Sequence, residues 1–229
     1  MDIANALLAP DQLAQPLDYA TLYRAGKLVQ AAGIILRLPQ ETIGTAAVLA
    51  QRFLVGTRAR KGVTDACAAA LFVATKAHEV QLASAEEQIL GALRAAGGRT
   101  GVQHADVQRL YATELVLLAG VGFDLRVVLP YRVLLYYVRV LRLLEDDAAG
   151  RLQLVQRAWN YVSDAVVIGG ALVHQPNVLA MVALWLATRE LGIVVRDGER
   201  WWEPFDVDTE DMGHAVVLLR HGRRVAQKQ

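Results

Sequence analysis

The sequence predicts an all-α protein made of two five-helix bundles in tandem, on three observations. Apolar residues recur with a 3.6-residue period along most of the 229-residue chain, and strand-like alternation appears over no useful length. Residues 70–76 read ALFVATK, and 113 positions later residues 183–189 read ALWLATR. The order of helices around the first heptad is repeated around the second. A chain of this length holds two units of about 100–115 residues, each able to bury a core.

The first helix covers 19–35, with apolar side chains at 19, 22, 23, 28, 29 and 32. Leu38-Pro39 ends it, because the residue before proline is steered from helical angles. The second helix spans 40–55 and stops at Gly56. The third runs from Gly62 through VTDACAAALFVATKAHE. It is apolar on nearly every side and rich in alanine, which places it in the interior, where small side chains let neighbouring helices approach. A fourth helix over 84–95 leads into GGRTG at 97–101. That loop lacks the preceding strand and the following Gly-Lys-Ser/Thr of a phosphate cradle, so it reads as a connector. A fifth helix at 104–119 closes the first bundle at Gly120-Val121-Gly122.

An extended stretch over 123–129 carries the chain to Pro130, and the pattern restarts with helices at 131–144 and 148–166. The repeated third helix opens at Pro176, a favourable first-turn position. WWEPF at 201–205 leaves room for a short fourth helix, and 209–220 forms the fifth. The 113-residue offset lays Leu22-Tyr23 on Leu135-Tyr136, and Ala70, Ala74 and Thr75 on Ala183, Ala187 and Thr188. It also pairs Phe72 with Trp185. The expected organisation is an extension at 1–17, bundles at 18–124 and 125–221, and a basic tail at 222–229.

With 54% apolar and 21% charged residues the chain is globular rather than disordered. Its longest apolar run, VLAMVALWLA, is about half of a bilayer span. No basic-plus-apolar leader precedes it, so neither signal peptide nor membrane anchor is expected. A net charge of +1 excludes global attraction to nucleic acid, and no direct nucleic-acid binding is expected. Two local basic clusters, Arg58-Arg60-Lys61 and Arg220-His221-Arg223-Arg224-Lys228, read as a solvated loop and a frayed terminus. The histidines at 78, 104, 174, 214 and 221 fall at no metal-ligand spacing, and Cys67 reads as a buried, inert thiol. Trp201 and Trp202 read as a cap on the second core, and Glu145-Asp146-Asp147 as a solvated turn. No nucleophile motif, dinucleotide fingerprint or carboxylate pair is present, so no catalytic residue, cofactor or metal is assigned.

Glu114 stands out physically. Its helix neighbours are Leu110, Tyr111, Leu117 and Leu118, and a desolvated carboxylate there costs several kcal/mol without a partner. It must reach solvent or a cation, and Lys76 at the end of the third helix supplies one if the two helices pack side by side. Two readings stand: solvated helix ends, or a pair whose spare hydrogen-bonding capacity a docking partner satisfies.

Several motifs together resemble one family. AAGIILRLPQETIGTAAVLAQRFL at 31–54 is similar to the passage from the first to the second helix of transcription-type cyclins, above all cyclin L. ALFVATK resembles the family's third-helix signature, and ELVLLAGVGFDL at 114–125 its fifth helix with a Gly-Phe-Asp-Leu exit. AWNYVSD at 158–164 followed by QPNVLAMVALWLATR resembles the second box of cyclins L and K, and RWWEPFDVDTEDM that of cyclins T and K. The motifs stand in family order over about residues 18–221.

The resemblance implies tandem cyclin boxes and a non-enzymatic, nuclear regulatory subunit that binds and activates a cyclin-dependent protein kinase in transcription or pre-mRNA splicing. It places Lys76 and Glu114 at the polar centre of the kinase interface, with Phe72 and Glu79 at contact positions. Phe72 equally suits core packing. Two departures are visible: Lys76-Ala77-His78-Glu79 has histidine where the family has glutamate, and the Met-Arg-x-Ile-Leu docking stretch is absent from LYRAGKLVQAAG. The alternatives are a module like the core of transcription factor IIB, or a non-activating cyclin-fold scaffold.

Overall fold

The computed structural model of the chain describes residues 5, 7–8, 17–57, 62–97, 104–143, 147–195 and 200–226. All regular secondary structure among them is helical. The chain divides into two units, Leu8–Val127 and Val128–Gln229, the second joined by Met1–Leu7.

The first unit contains α1 (Tyr19–Ile35), α2 (Gln40–Gly56), α3 (Val63–Ala77), α4 (Ala85–Ala96) and α5 (His104–Gly120). Asp18 caps α1 by accepting the Thr21 N–H at 3.1 Å and the Thr21 hydroxyl, and these bonds hold its carboxyl below the ordinary range. Helix α3 is central. It packs against α1, α2, α4 and α5, and all ten residues from Ala66 to Thr75 are buried. Its alanines are what let four neighbours approach one helix at close range. Helices α1 and α2 also meet closely at Gly33, where an added Cβ would lie 2.5 Å from Ile43 Cγ1.

The second unit contains α6 (Pro130–Val140), α7 (Ala148–Val167), α8 (Pro176–Glu190) and α9 (Thr209–Ala226). Helix α8 takes the central place and packs against α6, α7 and α9. A 3-10 turn, Glu203–Phe205, stands within WWEPF where a fourth helix was expected. Trp201 beside it is buried, in edge contact with Trp202 at 5.9 Å between centroids.

Two boundaries differ from the expectation. Helix α6 ends at Val140 rather than at 144, because Arg142 takes a left-handed backbone (φ 48°). The Leu143 N–H then turns back to the Val138 carbonyl at 3.3 Å. Helix α9 continues to Ala226 rather than fraying after 220. Gly222 is buried there, and a Cβ on it would lie 2.9 Å from Ile168 Cγ1. Arg220, His221 and Arg224 therefore ride on a packed helix. The Arg58-Arg60-Lys61 cluster, Lys228, Glu145, Asp146 and residues 98–101 lie outside the described residues.

The internal repeat holds in one place and breaks in another. Ala70, Ala74 and Thr75 of α3 and Ala183, Ala187 and Thr188 of α8 are all at most 2% exposed. The Thr75 hydroxyl donates to the Phe72 carbonyl and the Thr188 hydroxyl to the Trp185 carbonyl, each at 2.9 Å. In the first helices the offset fails: Leu22 is 2% exposed, but Leu135 is 45% exposed, and Leu134 is the buried leucine. A shift of one residue rotates a helix by about 100°, enough to turn a core position outward. Among the described residues, no helix is long and apolar enough to cross a membrane.

Candidate functional site

Packing of α3 against α5 brings Lys76 to Glu114, and the Lys76 ammonium donates to the carboxylate in an ion pair. Lys76 is 52% exposed and Glu114 only 14%, so the carboxylate has found a cation rather than escaped to water. The ammonium also stands over the Phe72 ring, 4.2 Å from its centroid. Phe72 itself is 6% exposed and packs tilted against Tyr111 at 6.0 Å. The ring underlies the pair and presents little open area.

Helix α4 adds Glu86, whose carboxylate accepts the Tyr111 hydroxyl at 2.7 Å. Its own backbone N–H, that hydroxyl and the charge of Lys76 hold the Glu86 carboxyl below its usual range. The same bond pushes the Tyr111 phenol above its own. Lys76, Glu114, Tyr111 and Glu86 thus form a fixed polar patch across three helices.

The sequence does not single out the apolar residues beside this patch. Leu115 is 70% exposed and Val116 40%, while Leu110 and Leu117 are buried on the opposite side of α5. The available signal was a surplus: α5 carries more apolar residues than one buried face can take.

Glu79 stands on the turn after Lys76. Its backbone is left-handed (φ 54°), with its N–H donating to the Lys76 carbonyl at 3.1 Å and the Val80 N–H to the Thr75 carbonyl at 2.9 Å. The second unit makes the same turn 113 residues later with Gly192 (φ 68°) and Ile193. Glycine adopts this conformation freely, whereas a residue with a Cβ loses about 1–2 kcal/mol. Glu79 is exposed, so no packing of its side chain accounts for its presence. His78 turns the other way, its Nε2 3.1 Å from the Thr45 hydroxyl of α2.

The counterpart of Lys76 on α8 is Arg189, which lies over the Trp185 ring at 5.2 Å. Among the described residues no carboxylate pairs with it, so there the cation-on-ring motif is duplicated without the ion pair. Cys67 is buried with its thiol 3.6 Å from the Ala25 carbonyl, and burial pushes the thiol up to about 12. Among the described residues, no group of His, Cys, Asp and Glu is placed to hold a metal ion.

Two helical units, each around a central apolar third helix, define the fold of a tandem cyclin-box protein. Solved structures share it. A yeast RNA polymerase II CTD kinase complex, CTDK-1, contains a chain matched with a TM-score of 0.69 at 17% identity, over 95% of this chain and 73% of that one. A viral cyclin from herpesvirus saimiri matches at 0.65 and 12% identity, over 91% and 86%. No family model matches the chain. Among curated proteins it is similar to Cyclin-T1-5 of Arabidopsis thaliana, 26% identical over 88% of this chain and 36% of that protein. It is also similar to human Cyclin-L1, 28% identical over 83% and 37%. The resemblance read from the motifs thus extends over most of the chain, to cyclins of both the T and L classes. The chain spans about two fifths of the length of these relatives.

Proposed function

We propose that the chain is a nuclear regulatory subunit that binds and activates a cyclin-dependent protein kinase acting in transcription or pre-mRNA splicing. The observation that carries this reading is the Lys76–Glu114 ion pair, fixed on Phe72 and flanked by exposed Leu115, in a cyclin fold. The CTDK-1 complex and the ATP-γ-S-bound CAK complex of Chaetomium thermophilum, matched at a TM-score of 0.61 and 22% identity, supply the kinase context by analogy.

In a protein kinase the helix-C glutamate must reach the strand-three lysine before ATP is held productively. A rigid face that binds the inward position of that helix better than the outward one shifts the population to the active state. Moving 1:99 to 99:1 takes about 5.5 kcal/mol of differential binding. Leu115 and Val116 supply apolar contact, and an interface of about 1,600 Å² in total is large enough for that preference. Lys76 and Glu114 fix the register through hydrogen-bonding capacity left over from their own pair, and Phe72 holds the lysine in place. Glu79 gives the partner a carboxylate on a strained turn, where strain points to function rather than stability.

Affinity purification of the chain from its native cell, followed by a phosphorylation assay of the co-purified kinase, tests the reading. The expected result is a kinase whose rate rises with the wild-type chain and not with Lys76→Ala or Glu114→Ala. Binding without a gain in rate would make the chain a scaffold. Salt-dependent DNA binding with no kinase would favour a module like the core of transcription factor IIB.

A further inference from the structure

Helix α9 divides its residues between two sides. Met212, Ala215, Leu218 and Leu219 are at most 7% exposed, and with Gly222 they pack against α7 and α8. The opposite side carries an open stripe centred on Val217, which is 65% exposed. Along it, at helical spacing, Glu210, His214, Arg220 and Arg224 are exposed as well. The stripe is thus acidic at its start, apolar in the middle and basic at its end. Among the described residues, neither Glu210 nor the two arginines forms an ion pair. Gly213 also lies on this side, where an added Cβ would meet nothing within 4 Å. A glycine inside a helix weakens it, and no contact within the unit calls for one here.

We propose that this stripe is a homodimer interface, with a second copy of the chain laying its own α9 antiparallel along it about a two-fold axis at Val217. Glu210 and Arg224 stand seven residues to either side of Val217. Seven residues are about two turns, or about 10.5 Å, so both side chains leave nearly the same face as Val217. Reversing a second helix about Val217 therefore sets its Arg224 opposite Glu210 and its Glu210 opposite Arg224. Two ion pairs close around a contact between the two Val217 side chains. His214 and Arg220, three residues to either side, meet in the same way, an imidazole nitrogen accepting from a guanidinium. Gly213 comes opposite His221 and leaves room for its ring. An opposite charge at each end makes the stripe its own complement, whereas a uniformly acidic or basic partner would be repelled at one end. One pair of helices is a small interface, so the dimer is expected at about 10–100 μM rather than tighter. The stripe lies wholly in the second unit and does not depend on the kinase reading of the first.

Sedimentation equilibrium of the full chain from about 5 to 200 μM is expected to show monomer giving way to dimer. Val217→Glu, at an exposed position, brings two carboxylates together on the axis and is expected to stay monomeric with its melting temperature unchanged. Glu210→Arg and Arg224→Glu each set like charges opposite one another and are expected to weaken self-association about tenfold or more. Mixed in equal amounts, these two variants restore both ion pairs and are expected to dimerise with each other. The Glu210→Arg, Arg224→Glu double variant should likewise dimerise with itself. A dimer that survives Val217→Glu, or a mixture no more associated than its separate components, would overturn the proposal. So would a wild type that stays monomeric throughout, whether or not it captures polyglutamate or single-stranded RNA through Arg224.

Discussion

Lys76 is half in water, so its ion pair contributes little to stability, about 1 kcal/mol or less. Lys76→Ala and Glu114→Ala are therefore expected to melt within a few degrees of the wild type while reducing kinase activation about tenfold or more, equivalent to about 1.4 kcal/mol of interface energy. Calorimetry beside a phosphorylation assay checks both halves, and unaltered activation by both variants would remove the site assignment. The pair was legible because a carboxylate among Leu110, Tyr111, Leu117 and Leu118 needs an explanation wherever it occurs. Leu115 was not legible, because periodicity cannot tell which apolar side of a doubly apolar helix faces in. Cys67 gives a second expectation. Burial raises its thiol from 9.0 to about 12, so the unfolded chain releases this proton first as pH rises. The thiol's contribution is intact below about 9 and declines through the window up to about 12. Tyr137, also raised to about 12 by burial, acts in the same direction. The fall in urea midpoint from pH 8 to 10.5 should thus be steeper in the wild type than in Cys67→Ala. A thiol reagent at pH 8 should label Cys67 only on unfolding.

Among the elements, the end of α3 allows stability and the proposed function to be tested apart. Glu79→Gly is expected to relieve left-handed strain and stabilise the fold by about 0.5–1 kcal/mol, part of the relief being offset by the extra freedom of glycine when unfolded. If Glu79 serves a partner, the same variant activates a kinase less well. A stabler variant with full activity would mean that the carboxylate has no role. Gly33 makes the opposite case, since Gly33→Ala drives a methyl group to 2.5 Å from Ile43 Cγ1. Overpacking of this kind is expected to cost about 1–3 kcal/mol, with partial recovery in the Gly33→Ala, Ile43→Ala double variant, read by chemical denaturation. The central helices were the easiest elements to place, because alanine-rich, all-round apolar segments have nowhere to go but the core. The ends of α6 and α9 were harder. One depends on a left-handed Arg142, the other on a contact between Gly222 and Ile168, and neither leaves a local mark in the sequence.

At the scale of the whole chain, the least legible feature is the attachment of the amino-terminal segment to the second unit. Nothing in the pattern of residues 1–17 announces it. Asn5 is buried and reads both backbone groups of Val128 with its side-chain amide. Its Nδ2 donates to the Val128 carbonyl at 2.8 Å, and its Oδ1 accepts the Val128 N–H at 2.7 Å. Gln175, at the cap of α8, returns the favour to the Asn5 backbone: its Oε1 accepts the Asn5 N–H at 2.8 Å and its Nε2 donates to the Asn5 carbonyl at 3.2 Å. Two amide side chains thus satisfy two backbone groups apiece, tying together the points where the chain leaves and re-enters the second unit, on either side of Leu8–Val127. Such a clasp closes a loop of more than a hundred residues, so the bonds must offset its closure entropy as well as the ordering of the segment. Asn5→Ala removes both side-chain bonds to Val128, leaving its N–H and carbonyl without these partners, and is expected to destabilise the second unit by about 1–3 kcal/mol. Asn5→Asp should be nearly as harmful, because a carboxylate still accepts the Val128 N–H but repels its carbonyl. Hydrogen exchange resolves the effect by position: the Val128 amide should lose protection in Asn5→Ala, while amides of the buried α3 segment, Ala66–Thr75, keep theirs. Protection of Val128 that survives Asn5→Ala would show that the clasp contributes nothing to holding the segment in place.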